Sequence, residues 1–236
     1  MKIGIMQPYF FPYIGYWQLI NAVDRFVLLD DVNYIVRGYI NRNNILINGN
    51  AHRFAIPVKQ ASQNRLIKDT ELCFNRREKD KFLLMLNNAY KKAPQFNQVM
   101  PMLDHIINNP QKDITQYIYN ALMITMDYLQ INTEIYISSQ IEKNVYLQGQ
   151  NRIIEICRKL NADTYINPCG GRKLYSRLDF DAVGMELFFL DTRIDNIVYN
   201  QNQEKFVKNL SMIDVLFFND VETIKGFLQE FDLHRE

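Results

Sequence analysis

Apolar residues fall along this chain in two rhythms, short unbroken runs and longer stretches at helical spacing, and their alternation predicts the fold. KIGIM, at positions 2–6, is a short run of mostly apolar residues opening directly on a loop, as an interior parallel strand does. In YIGYWQLINAV, from Tyr13 to Val23, the apolar positions Ile14, Trp17, Leu19, Ile20 and Val23 recur at helical spacing. RFVLLD then reads as a second strand. Strand, turn, helix and strand in this order make a βαβ unit, whose crossover is right-handed.

The pattern changes at GYINRNNILINGNAHRFAIPVK, where Asn48–Gly49 sits between two runs of alternating apolar and polar residues. Asn-Gly tolerates the positive φ angles of a tight hairpin turn, so a β-hairpin is expected, with Pro57 ending its second strand or holding it at an edge. From Arg76 to about Leu129 the spacing is helical. Three stretches follow one another, ending near Pro94, ending near Pro110, and opening on Asp113 as N-cap. The α/β rhythm then returns. TEIYISSQ is a strand, NRIIEICRKLN an amphipathic helix, DTYINP a strand, CGGRKLYS a loop and MELFFLD a strand. SMIDVLFFN, capped by Ser211, and VETIKGFLQEF are closing helices. The fold class expected is α/β, a mostly parallel Rossmann-like sheet with a β-hairpin and a helical insertion. It forms one domain over residues 1–236, with 76–130 as the inserted helical subdomain.

Composition narrows the function classes. Of 236 residues, 47% are hydrophobic and 22% charged, which suits a well-cored globule, and the net charge of +1 offers no global attraction for nucleic acid or membrane. No apolar run approaches the roughly 18 residues that span a bilayer, and KIGIM is too short for a signal-peptide core. Cys73, Cys157 and Cys169 are scattered and form no C-x-x-C, which points to reduced thiols and a cytoplasmic protein. With His52, His105 and His234 equally scattered, no metal site is assigned.

In an open parallel sheet, ligands bind outside the carboxyl ends of the strands. Four features fall there: the 7–15 loop, Asp30–Asp31, Ser138–Ser139 and NPCGGRK. In QPYFFPYIGYW, Gly15 near a helix start would let a ligand approach the backbone, and the unpaired N–H groups there suit phosphate or carboxylate. Tyr9, Tyr16 and their aromatic neighbours would wall a pocket, or else are core. Asn167 precedes Gly170–Gly171, whose backbone could form an anion nest, with Arg172 offering a planar fork. Asp30 and Asp31 are the catalytic candidates, open to holding a metal, to serving as general base or to binding sugar hydroxyls. Adjacent residues point to opposite sides, so one of the two is expected to face the site. Arg37, Asn41 and Arg42 make a polar edge suited to a phosphorylated ligand.

The opening layout is similar to the HIGH-type nucleotidylyltransferases, although FPYIGYW carries Tyr13 and Tyr16 where that motif needs histidines. More extensively, MQPYFFPYIGYWQLI, FVLLDDVNY, RGYINRNNIL, ADTYINPCGGRKLY and VYNQNQEKFVKNLSMIDVLFFN, in this order, resemble the bacterial WbqC-like family across nearly the whole chain. Gln7, Pro8, Gly15, Asp30, Asp31, Arg37, Asn41, Arg42, Gly170, Gly171, Tyr199, Gln201, Ser211 and Asp214 fall on that family's motif. The chain departs from it at Asn167–Pro168–Cys169, where relatives tend to carry a Ser-Gly-Pro-like stretch, and at Asn196–Ile197, where they carry His-Pro.

The resemblance implies a cytoplasmic protein of surface-polysaccharide (O-antigen) synthesis that transfers a glycyl-like amino-acyl group onto a nucleotide-linked amino sugar. Two alternatives stand beside it, a degenerate nucleotidylyltransferase using ATP or CTP and a non-catalytic binding protein of polysaccharide assembly. The expected partner is a small molecule bearing a nucleotide or phosphate. No nucleic acid is expected except an aminoacyl-tRNA acting as donor, no membrane insertion is expected, and no cofactor is assigned.

Overall fold

A computed structural model describes residues 1–235. Its main sheet is built from β1 (Lys2–Met6), β2 (Arg25–Leu28), β5 (Glu134–Ile137), β6 (Thr164–Pro168), β7 (Glu186–Thr192) and β8 (Phe231–Arg235), in the order β5-β2-β1-β6-β7-β8. All neighbours pair parallel except β7 and β8, which are antiparallel. A separate hairpin pairs β3 (Arg42–Ile47) with β4 (Asn50–Ala55) through the Asn48–Gly49 turn, where both residues have positive φ. That is the α/β class with a mostly parallel sheet that the apolar runs predict.

The sheet is covered on both faces, which is why its strands read as runs rather than as alternation. Ile3, Ile5, Val27, Tyr165, Leu187 and Phe189 pack on one face with Ile153 and Ile156 of helix α5 (Gly149–Lys159). Phe26, Leu28, Ile166 and Leu190 face the other way. They pack with α1 (Ile14–Ala22), and with the helices α7 (Met212–Phe218) and α8 (Val221–Phe227). Gly4 lets α1 lie close on that face, since a Cβ there would stand 3.1 Å from Leu19 Cγ.

The helical block consists of α2 (Arg76–Tyr90), α3 (Phe96–Asn108) and α4 (Ile114–Leu129). Local chemistry sets its boundaries. Asn75 and Glu78 form a reciprocal capping box at α2, and Asp113 accepts from Gln116 N at 2.8 Å at α4. The buried faces of these helices join the α1 side of the sheet in one core.

Four elements differ from expectation, the first being the TEIYISSQ strand, which ends at Ile137 with Ser138–Gln140 a 3-10 turn. The last helix stops at Phe227, and Phe231–Arg235 forms β8 instead, gaining backbone pairing to β7 that a continued helix would forgo. A short helix, α6 (Arg177–Asp181), follows the double glycine, and Cys169–Leu174 is a 3-10 turn rather than an open loop.

Candidate functional site

Strand order reverses between β1 and β6: β2 and β5 extend one way from β1, and β6 and β7 the other. The loops leaving the carboxyl ends therefore meet at a topological switch point. The opening aromatic segment, the paired aspartates and the double glycine all leave this one rim.

The opening segment is largely core. Phe10 and Phe11 are buried, with rings 4.9 Å apart, and Phe10 N donates to Ile40 O at 2.9 Å. Phe11 has φ 44°, which is uncommon for a bulky residue. Its carbonyl accepts from Asn43 Nδ2 at 2.6 Å and from Ser211 Oγ at 2.8 Å. The prolines and aromatics thus thread the chain between the hairpin and α7.

Two predicted ligand contacts in this segment prove to be packing positions. Tyr16 is buried, and its hydroxyl donates to Gln7 O at 3.0 Å. Gly15 faces protein: a Cβ would stand 2.5 Å from Tyr13 Cε2 and 2.7 Å from Thr192 Oγ1. Gln7 and Tyr9 remain half-buried at the rim, Tyr9 lying against Tyr16 and Tyr39 with ring centroids 6.0 and 5.6 Å away. Burial, followed by the neighbouring Tyr39 and Tyr13, pushes the Tyr9 hydroxyl pKa up, so it acts as a neutral hydrogen-bonding group.

The two aspartates have separate environments. Asp30 is 1% exposed, with Ser139 N on Oδ1 at 2.8 Å and Ser139 Oγ on Oδ2 at 2.7 Å. Burial raises its pKa against those two bonds, and the neighbouring Asp31 charge raises it further. Walled off and doubly bonded, Asp30 braces the β2 loop against the turn after β5.

Asp31 accepts from Ser138 Oγ at 2.7 Å and pairs with Lys143 Nζ at 2.8 Å; Arg152 Nη1 stands 3.9 Å away. Burial would raise Asp31, but the bonds from Lys143 and Ser138, and then the charges of Lys143 and Arg152, hold it below the usual carboxylate range. Arg152 also donates to the carbonyls of Leu147, Asp31 and Val145, bracing the loop that leads into α5.

At the double glycine, Gly171 is demanded by Asn167, whose amide occupies the space a Cβ would need. Asn167 is itself buried and accepts from Tyr165 OH at 3.0 Å, which makes it a support for the turn. Neither Gly170 nor Gly171 has positive φ, so the left-handed backbone of an anion nest is absent there. Gly170 is open, and Arg172 lies over the Phe189 ring at 5.6 Å. Of the hairpin's polar edge, Asn41 bridges Tyr34 OH and Ile56 O at 2.8 Å each, and Arg42 Nε donates to Gly38 O. Arg37 is exposed with φ 66°.

Two hollows open at this rim. One, of about 230 Å³, lies between Tyr13, Cys169, Gly170 and Asp191. The larger, of about 570 Å³, spans from the β2 loop to the 3-10 turn after β6 and includes Asp31, Arg152, Leu174 and Tyr175. The start of α5 contributes Gln148, Gly149 and Gln150 to its wall. Gly149 has φ 52° and Gln148 makes no side-chain cap bond, so backbone N–H groups of the first turn lie at this wall.

Lys143, Arg152 and Gly149 were not singled out from the sequence. The one available signal was Gly149 just ahead of the α5 pattern. Among the described residues, no three Asp, Glu, His or Cys side chains are grouped to hold one metal ion. No helix among the described residues is long and apolar enough to cross a membrane.

A second constellation lies away from the rim. Asp214 is fully buried and accepts from Tyr90 OH at 2.8 Å, Tyr199 OH at 2.7 Å and Gln201 Nε2 at 3.0 Å. Tyr90 OH in turn accepts from Leu46 N at 3.0 Å. Ser211, besides holding Phe11, caps α7. Four motif positions of unassigned role thus tie the 199–208 segment to α2, β3 and α7.

A family model described as the WbqC-like protein family matches residues 7–226. An uncharacterized protein of Mycobacterium tuberculosis, Rv1507c, is 25% identical over 220 residues, covering 92% of this chain and 93% of that protein. No solved structure gives a significant match.

Proposed function

The chain belongs to the WbqC-like protein family, and from that premise we propose that it is a cytoplasmic transferase of bacterial surface-polysaccharide synthesis, moving a glycyl-like amino-acyl group onto a nucleotide-linked amino sugar. The observation that carries this reading is the 570 Å³ hollow at the strand ends, where apolar Val32, Leu66, Ile153 and Leu174 stand beside Asp31, Asn33 and the open start of α5. A cleft with apolar walls and a few convergent polar groups is the common form of a small-molecule site.

In the reaction, the acceptor nitrogen attacks the acyl carbonyl carbon. The new C–N bond forms as the bond from that carbon to the donor's leaving atom breaks, and the nitrogen's proton passes to solvent or to the leaving group. Asp31, held below the usual carboxylate range, is ionised at neutral pH. That suits it to gripping and orienting the acceptor's amino group rather than to storing the proton. The first-turn N–H groups of α5 suit the oxyanion or a substrate phosphate. Asp30, sealed by Ser139, positions the loop that carries Asp31.

The test is incubation of the purified protein with a nucleotide-activated amino sugar and, in turn, an aminoacyl thioester, an aminoacyl adenylate and an aminoacyl-tRNA, followed by mass spectrometry for the amide. Product is expected with one donor, and Asp31→Asn, assayed where circular dichroism shows it folded, is expected to lose about two orders of magnitude in rate. No product from any donor ends the transferase reading. A non-catalytic binding protein is the second reading, favoured by the protein donors already engaging both aspartates. Under it, Asp31→Asn binds the nucleotide sugar and no turnover appears in either form.

A further inference from the structure

Away from the rim, a cavity of about 360 Å³ opens where the segment after the hairpin meets the helical block, between the starts of α2 and α4 and the end of α3. Its walls carry three ammonium groups, Lys59, Lys79 and Lys112, against one carboxylate, Glu71. Glu71 is taken by Lys59, 3.6 Å away, and both of those side chains are largely exposed.

The other two cations lack such a partner. Lys79 is half-buried; its Nζ donates to Asn109 O at 2.7 Å and stands 5.8 and 5.9 Å from the Phe74 and Tyr117 ring centroids. Among the described residues it pairs with no carboxylate, and neither does Lys112, whose Nζ makes no hydrogen bond there either. Burial, followed by the charge of Arg76, lowers the Lys79 pKa. The N-termini of two long helices, α2 and α4, meet at the same place, but Glu78 and Asp113 already cap them, so the excess positive charge of the cavity wall comes from the lysines. Two ammonium groups on the wall of one cavity, neither paired with a carboxylate, are matched by a dianion better than by a single carboxylate.

We propose that this cavity is a binding site for a phosphate dianion, free or as a monoester, held between Lys79 and Lys112. The ester's organic part would lie in the remaining space toward Phe74 and Tyr117. The site is separate from the strand-end rim and does not depend on the transferase reading.

Cys73, which is exposed and lines this cavity, is a built-in reporter. The native protein is alkylated with iodoacetamide at constant ionic strength, and the rate is followed at Cys73 and Cys169 by peptide mass spectrometry. Inorganic phosphate, ribose 5-phosphate and acetate are each titrated in. Saturable slowing at Cys73 by either phosphate, with acetate without effect and Cys169 unchanged, is expected. The phosphate that acts at lower concentration names the source. Lys79→Gln and Lys112→Gln should each raise the half-saturating concentration by about tenfold. Lys112 is exposed, so its variant carries the test should Lys79→Gln fold poorly. A Cys73 rate indifferent to phosphate, slowing equalled by acetate, or wild-type saturation in Lys112→Gln would overturn the site.

Discussion

Asp31 and Lys143 form a largely buried ion pair at 2.8 Å. The side chains are 10% and 2% exposed, so removing one charge strands the other out of water. Breaking such a pair costs about 3 kcal/mol, more than an exposed pair is worth, because the remaining charge stays desolvated. The pH dependence has a definite sign. The folded pKa of Asp31 is depressed, so its contribution is fully present above the ordinary carboxylate pKa and is lost as pH falls through the lowered value. Urea unfolding of wild type and Asp31→Asn should therefore differ by about 3 kcal/mol at pH 7. The gap should close only below the ordinary aspartate pKa of about 3.9. A gap unchanged into strong acid would mean that the carboxylate's charge is not what stabilises the fold.

The sequence made Asp30 and Asp31 visible because two carboxylates after an apolar run are conspicuous. Ser138 and Ser139 fall on the same rim in the sequence reading, but their bonds to the aspartates, and Lys143 altogether, stayed hidden because these residues become neighbours only once β5 pairs with β2.

Between elements, the carboxylate of Asp214, buried within α7, is bonded by donors from α2 and the 199–208 segment. Burial raises its pKa, and the bonds from Tyr199, Tyr90 and Gln201 pull it back down. Removing one donor lets the pKa rise further, so the folded state then favours the protonated acid more strongly. Tyr199→Phe should cost about 2 kcal/mol at neutral pH, the range for hydrogen bonds to charged groups. Since a raised folded pKa favours the fold at low pH and the gain is lost as pH rises, the penalty should be larger at pH 8 than at pH 5. A penalty equal at both values, measured by chemical denaturation, would show that Asp214 does not titrate between them.

Elements with strong local signals were legible here: the Asn48–Gly49 turn, the Asp113 cap and the Ser211 cap stand where the residues predict them. The β8 strand was not, because FDLHR offers only two apolar positions and its pairing energy comes from β7. The opening segment was half legible. Its prolines and rings announced a special connection, but whether the rings faced a ligand or the core depended on the hairpin and α7, which arrive from distant sequence.

Across the whole molecule, one chain of rings bears on whether residues 76–130 stand as a subdomain. Phe10, from the loop after β1, lies 6.4 Å from Phe54 of the hairpin and 5.6 Å from Tyr117 of α4, and Phe54 lies 5.2 Å from Phe82 of α2. Aromatic side chains bury large areas, and contacts of this kind add to the energy of area burial. Separating the block from the sheet would expose Phe10 and Phe54 together with the inner faces of α2 and α4, a loss no surface hydrogen bond offsets. The block should then lack an opening equilibrium of its own, despite its continuous stretch of sequence and its own helical rhythm. Native-state hydrogen exchange in low denaturant tests this: the slowest amides of α2 and α4 should merge with those of β1 and β6 into one global unfolding isotherm. A block that exchanges through a separate, lower-energy opening would make it an independent unit resting on the sheet. The aromatic seam would then contribute shape and little stability.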